Sequence, residues 1–409
     1  MSAAAVATSK LIQEIRSARA ESDRLFDIIK PEAIYERPIA QRHRVIFYIG
    51  HLDGFDSIQI CREALGIRSH DEELDALFQT GIDPDSSNLP ADTPADWPSL
   101  AEVQQYVDRC RRLVDENLDR VPESMVQLVI EHRQMHLETL AYMFHNFSPA
   151  LKEPPAFPRC KKQMVSGWTN EWREIPAGEA VLGLPRDGSF GWDNEFEQTR
   201  RFVPAFRIQR YKVTNGDYLR FVEQGAPLPT FWLRRGDVLY YRGMFEEMPL
   251  PLDWPVYVSH REAEAYAEWL GKSLPSEEQF DRAAYGTYDG EYREFPWGNA
   301  KPTHKRGNFD FKRWDPERVY ATPGGDSAFG VSQLVGNGWE WTSSLFAPFP
   351  GFQPHESYPG YSANFFDGEH FVMKGGSPRT AARLLRRSFR NWFRRDYPYM
   401  YATFRCVEN

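Results

Sequence analysis

The stretch from Pro149 to Pro158, with Pro154 and Pro155 between them, separates two sequence textures that cannot fold alike. Before it, apolar residues recur with helical period, as in Leu11, Ile12, Ile15, Leu25, Phe26 and Ile29 among charges. Beyond about Gln163 that period is scarce, and glycines, tryptophans and short strand-like runs take over. The main helical exceptions run from Ser259 to Gly271 and open again at Pro275-Ser276-Glu277. The pattern predicts a helical domain over 1–150, a proline-rich linker over 151–166 and a second α+β domain over 167–409. No internal repeat is evident.

In the first domain Pro31 closes the first helix, predicted from about Thr8 to Lys30. A second is predicted from about Ile39 to Leu65 and carries His51 between Gly50 and Gly54. Those glycines read either as loose helix interior or as room for a metal or a close helix approach. From Gly66 to Pro98 the pattern breaks, and Thr80 to Pro90 is turn chemistry. So long a loop is expected to be mobile or to cap a site. Ser99 with Glu102 has the form of a helix start, and Pro122-Glu123 opens a fourth helix reaching His145. Four helices predict an up-down bundle with any site between facing helices.

The fourth helix holds His132-Arg133-Gln134-Met135-His136-Leu137-Glu138. One helical turn separates His132 from His136, so both imidazoles leave one face and can share a metal. Glu138, two positions on, points to nearly the opposite side at about 100° per residue. The third ligand must come from another segment, and His51 is the best donor. Taken singly, each histidine reads more readily as a hydrogen-bonding core residue than as a ligand, and the i,i+4 pair reads equally as either. Three from two helices describe an open, catalytic metal site rather than a closed structural one.

Composition narrows the class. Hydrophobic residues at 41% and charged residues at 26% are those of a soluble globular protein, expected to be cytoplasmic. A net charge of −9 argues against nucleic acid or an anionic membrane as partner. Cys61, Cys110, Cys160 and Cys406 are too scattered for a zinc knuckle or a disulfide framework. No long apolar run or leader pattern occurs.

In the second domain Ile175-Pro176-Ala177-Gly178, Tyr211-Lys212-Val213-Thr214-Asn215, Phe295-Pro296-Trp297-Gly298, Val335-Gly336-Asn337-Gly338-Trp339-Glu340-Trp341 and Lys374-Gly375-Gly376-Ser377 follow in order. Together they resemble the formylglycine-generating-enzyme/sulfatase-modifying fold, a C-type-lectin-like α+β domain. Formylglycine formation itself does not fit, because that oxidase uses a cysteine pair and this domain has Cys406 alone. The first domain resembles the DinB-like four-helix bundle. The two in this order, with H-x-x-x-H-x-E, resemble the EgtB-like non-haem iron sulfoxide synthases of ergothioneine biosynthesis, with which the selenoneine synthases (SenA) share the arrangement.

The resemblance implies that His51, His132 and His136 hold Fe(II), and that O2 is used to join a thiol, or in SenA a selenium donor, to hercynine. It also implies that Asn391 and Trp392 contact hercynine. Indole against trimethylammonium is a cation–π contact, and an amide can bind a carboxylate. Arg394 and Arg395 are candidates for a carboxylate on the sulfur donor. Relatives that use γ-glutamylcysteine carry Asp after the Trp and Gln before the second helix-four histidine. Phe393 and Met135 stand there, so cysteine is the expected donor, with a selenosugar the alternative. The family's proton-delivering tyrosine is not evident, although Tyr397, Tyr399 and Tyr401 cluster nearby. The resemblance also allows a structural Ca2+ near Gly336 to Glu340. Two further readings stay open: a metal-dependent thiol transferase that needs no O2, and a non-catalytic lectin-like binding module with structural histidines.

Overall fold

The computed structural model describes residues 3–79, 89–155 and 170–408. The chain divides into two compact units, Met1–Pro155 and Ala156–Asn409. Most of the predicted linker, Cys160 and the centre of the predicted 66–98 loop lie outside the described residues.

The first unit is helical: α1 (Ala3–Phe26), α2 (Val45–Ser57), α3 (Glu72–Gln79), α4 (Leu100–Asp115) and α5 (Glu123–His145). α2 packs on α4 and α1 on α5. The start of α4 is the predicted capping box: Ser99 Oγ accepts from the Glu102 N–H, and the Glu102 carboxylate accepts from the Ser99 N–H. α2 is shorter than expected and passes into a wider π-helical turn over Ile58–Glu63. α3 lies where only loop was expected. The Asp71 carboxylate accepts from the Leu74 N–H at 3.1 Å, and acids fill the first turn, which suits a helix N-terminus.

α2 is buried on nearly every side, including its acids. Arg133 on α5 donates to Asp53 and Asp56, each at 2.7 Å, and Arg111 on α4 donates to Asp53 at 2.9 Å. Charges this deep persist only when paired. Asp53 and Asp56 sit two and five residues from His51, and Arg133 directly follows His132. They tie α2 to α5 next to the histidines.

The second unit is built of short sheets. One orders β1 (Trp172–Ile175), β4 (Phe206–Gln209) and β12 (Val407–Glu408), with β4 between the others. β2 (Gly178–Leu182) pairs with β3 (Thr199–Val203). α6 (Asn215–Glu223) leads into a meander of β5 (Trp232–Arg235), β6 (Val238–Arg242) and β7 (Glu247–Pro249). After α7 (His260–Trp269) and α8 (Glu277–Tyr285), a four-stranded sheet orders β10 (Asn391–Arg394), β9 (His370–Lys374), β8 (Trp339–Leu345) and β11 (Ala402–Thr403).

At its centre the fully buried Glu340 receives Lys212 at 2.8 Å and Arg405 at 2.6 Å. This is the loop in which the resemblance allows Ca2+. Gly338 O and Glu340 are already engaged by Lys212, and Asn337 Oδ1 accepts from Asn308 and the Glu317 N–H. A buried ammonium and a guanidinium supply the positive charge a divalent ion would bring.

Candidate metal centre

The three predicted histidines meet. His51 comes from the second turn of α2, His132 and His136 from one face of α5. Their candidate ligand nitrogens all lie within 4.8 Å of one another. Among the described residues this is the group of His, Cys, Asp and Glu side chains able to hold a metal ion. His51 Nε2 is 3.2 Å from His136 Nε2. His51 and His132 are 3% exposed each. The walls are aromatic: Phe55 stacks on His132 at 3.5 Å between centroids, Phe47 on His51 at 4.9 Å, and Tyr48 lies 6.0 Å from His136. Glu138 is buried but stands outside the group, as its helical phase requires.

Burial sets the protonation state. It pushes His51 down to about 4, against the opposing effect of a backbone hydrogen bond to Phe78. Burial, with the neighbouring imidazoles, drives His132 and His136 well below the usual histidine range. All three are therefore neutral at physiological pH, the form that ligates metals. His51 Nδ1 lies 2.6 Å from Phe78 O. Since a carbonyl can only accept, Nδ1 carries the proton and the Nε2 lone pair faces the cluster. Converging neutral imidazole nitrogens between aromatic walls fit a first-row divalent cation such as iron, and three leave positions for exchangeable ligands.

The other predicted residues lie in the second unit, on β10 and just beyond it. Trp392 stacks on Phe346 at 4.2 Å and 6°, with Tyr361 edge-on at 5.4 Å and Phe365 at 5.6 Å. Asn391 Oδ1 accepts from the Trp392 N–H at 2.9 Å, so what its amide offers a ligand is the Nδ2 donor. Arg394 faces Asp367 at 3.5 Å, and Arg395 pairs with Glu264. Each arginine thus already meets a carboxylate of this chain. Tyr397 and Tyr401 are buried, Tyr397 against Phe393. The tyrosine that meets Trp392 is Tyr361, which the sequence reading missed. Its one signal was the aromatic density between Phe346 and Phe366.

Residues 159–409 match the sulfatase-modifying factor enzyme 1-like domain family. The chain is 34% identical to hercynine oxygenase of Mycobacterium tuberculosis, over 76% of this chain and 77% of that protein. It is 29% identical to ergothioneine biosynthesis protein 1 of Neurospora crassa and 28% to the Schizosaccharomyces pombe protein of that name, each over 93% of this chain. The chain spans only 56% and 54% of those two fungal proteins.

Proposed function

This chain belongs to the family of the hercynine oxygenases and carries their sulfatase-modifying factor enzyme 1-like domain, and from that premise we propose that it is an iron(II)- and O2-dependent enzyme that forms a carbon–sulfur bond on hercynine. The observation that carries the reading is the converging, neutral cluster of buried His51 and His132 with half-buried His136. These three would hold Fe(II). When bound, it supplies O2 activation and makes a coordinating thiol a thiolate at neutral pH, which redox-inert zinc could do only in the second respect.

The remaining work falls to the chain. Trp392, backed by Phe346, offers an indole face to the trimethylammonium group. Asn391 Nδ2 is suited to the betaine carboxylate. The Tyr361 hydroxyl, on the ring beside Trp392, is our assignment for the group that delivers a proton to the product. Phe55, Phe47 and Tyr48 keep bulk water from the metal ligands. The donor we assign is cysteine, because Phe393 and Met135 stand where γ-glutamylcysteine-using relatives carry Asp and Gln.

The test is anaerobic loading with Fe(II), then hercynine with cysteine, γ-glutamylcysteine or a selenosugar under air, read by mass spectrometry. A hercynyl–cysteine sulfoxide, absent without O2 and absent in His132→Ala, is the expected result. Preferential selenium transfer would move the chain to the selenoneine branch. A product formed without O2 would point to thiol transfer instead. Turnover retained in His132→Ala would sink the metal assignment.

A further inference from the structure

α2 carries a glycine directly before His51 and another three residues after it, and each faces an aromatic ring. A Cβ on Gly50 would lie 2.5 Å from the Phe78 ring, and one on Gly54 would lie 2.7 Å from the Tyr106 hydroxyl. Glycine inside a helix costs about 1 kcal/mol relative to alanine. Two of them flanking one histidine are explained by what their absent side chains admit.

What Gly50 admits is the last turn of α3. Phe78 is fully buried there, and its carbonyl reaches His51 Nδ1 at 2.6 Å. Carbonyls in a helix's last turn have no partner within the helix and carry its negative end, so this one is a ready acceptor. What Gly54 admits is Tyr106 of α4, whose hydroxyl donates to Asp75 Oδ1 of α3 at 2.7 Å. Both groups are buried. Among the described residues, the other polar links from α3 and the residue before it to their surroundings are longer. Arg62 is 3.8 Å from Asp75 and 3.5 Å from Gln79, and Arg109 is 3.7 Å from Asp71, all with more exposed partners.

We propose that α3 is a brace that sets the tautomer of His51, and that Tyr106 and Asp75 are positioning residues that hold this brace in place. The Phe78 carbonyl keeps the proton on Nδ1 and so presents Nε2 to the metal. The Tyr106–Asp75 bond keeps Phe78 within reach. The proposal rests on the iron reading only for its consequence, metal affinity; the tautomer itself is a property of the metal-free protein.

The experiment uses the full chain. Histidine ring nitrogens, labelled with nitrogen-15, report the His51 tautomer in metal-free protein, and anaerobic Co(II) titration reports affinity and the visible spectrum. Wild type is expected to show the Nδ1–H form. Tyr106→Phe should give mixed tautomers, an altered Co(II) spectrum and about 10- to 100-fold weaker binding, the usual cost of losing an outer-shell partner. Asp75→Ala should match it. Asp75→Asn keeps an acceptor oxygen and should restore both readouts, which also covers a Tyr106→Phe chain that fails to fold. Wild-type tautomer and Co(II) affinity in Tyr106→Phe and Asp75→Ala, despite lower thermal stability, would overturn the proposal. Wild type that binds neither Co(II) nor Fe(II) would instead count against the iron reading, while the tautomer measurement still decides the brace.

Discussion

At position 50 one methyl group decides whether a helix gains or loses. Replacing glycine by alanine inside an exposed helix would stabilise it by about 1 kcal/mol. Here the new Cβ meets the Phe78 ring at 2.5 Å, and overpacking a tight core costs roughly 1–3 kcal/mol. Gly50→Ala is therefore expected to lower the melting temperature, and a rise would show that Phe78 yields without strain. Trp392 is the corresponding residue in the second unit. A cation–π contact is worth about 0.5–2 kcal/mol. Trp392→Leu should then raise the hercynine KM by about 2- to 30-fold, with Trp392→Phe in between. A KM unmoved by both would leave Trp392 a packing ring on Phe346.

At the scale of elements, the approach to α2 is clamped by one carboxylate. Asp92 accepts from Arg37 at 2.5 Å, from Arg44 Nε at 2.9 Å and from the Trp97 indole N–H at 2.9 Å. Partial burial opposes its ionisation, but hydrogen bonds from Trp97 and Arg37 and the arginine charges hold it at about 2, below its ordinary 3.8. Between those values the unfolded chain binds the proton and the folded chain does not. The clamp therefore contributes above about pH 4, and the contribution is lost as pH falls towards 2. Its size is on the order of 2 kcal/mol. Asp92→Asn should cost the helical unit about that much near neutral pH and progressively less in acid, as followed by circular dichroism. A deficit constant with pH would remove the ionised carboxylate from the account.

Elements differ in how far the sequence revealed them. His132 and His136 could be paired from spacing alone, because a helix puts residues four apart on one face. The start of α4 was equally plain, since Ser99 and Glu102 bond locally. α3 was not: Leu74, Leu77 and Phe78 have helical spacing, but an 8-residue helix in turn-rich surroundings is too short for that spacing to stand out. Its contribution to His51 is a backbone carbonyl, which any residue type would supply and no motif records. The Phe346–Trp392 platform joins positions far apart in the chain through a sheet edge, so only the aromatic density of each segment was visible.

Across the whole molecule, the chain's reporters divide between its two compact units. Eleven of the 12 tryptophans follow residue 156, while Trp97 and all three clustered histidines precede it. Tryptophan fluorescence thus reads the second unit, and Co(II) absorbance reads the first. The second unit has its own vulnerable centre: Arg405, fully buried, bonds Glu340 and the carbonyls of Gln209, Arg210 and Ser332. Removing one partner of a buried ion pair costs about 3–5 kcal/mol, because the charge left behind is poorly compensated. Lys212 would soften that loss at Glu340, but nothing replaces the donors to three carbonyls. Arg405→Met should lower the fluorescence transition of Co(II)-loaded protein by several degrees and leave the absorbance transition near its parent value. If both transitions move together, the two units unfold as one, and a defect in the sheet-rich unit would empty the metal site without touching a ligand.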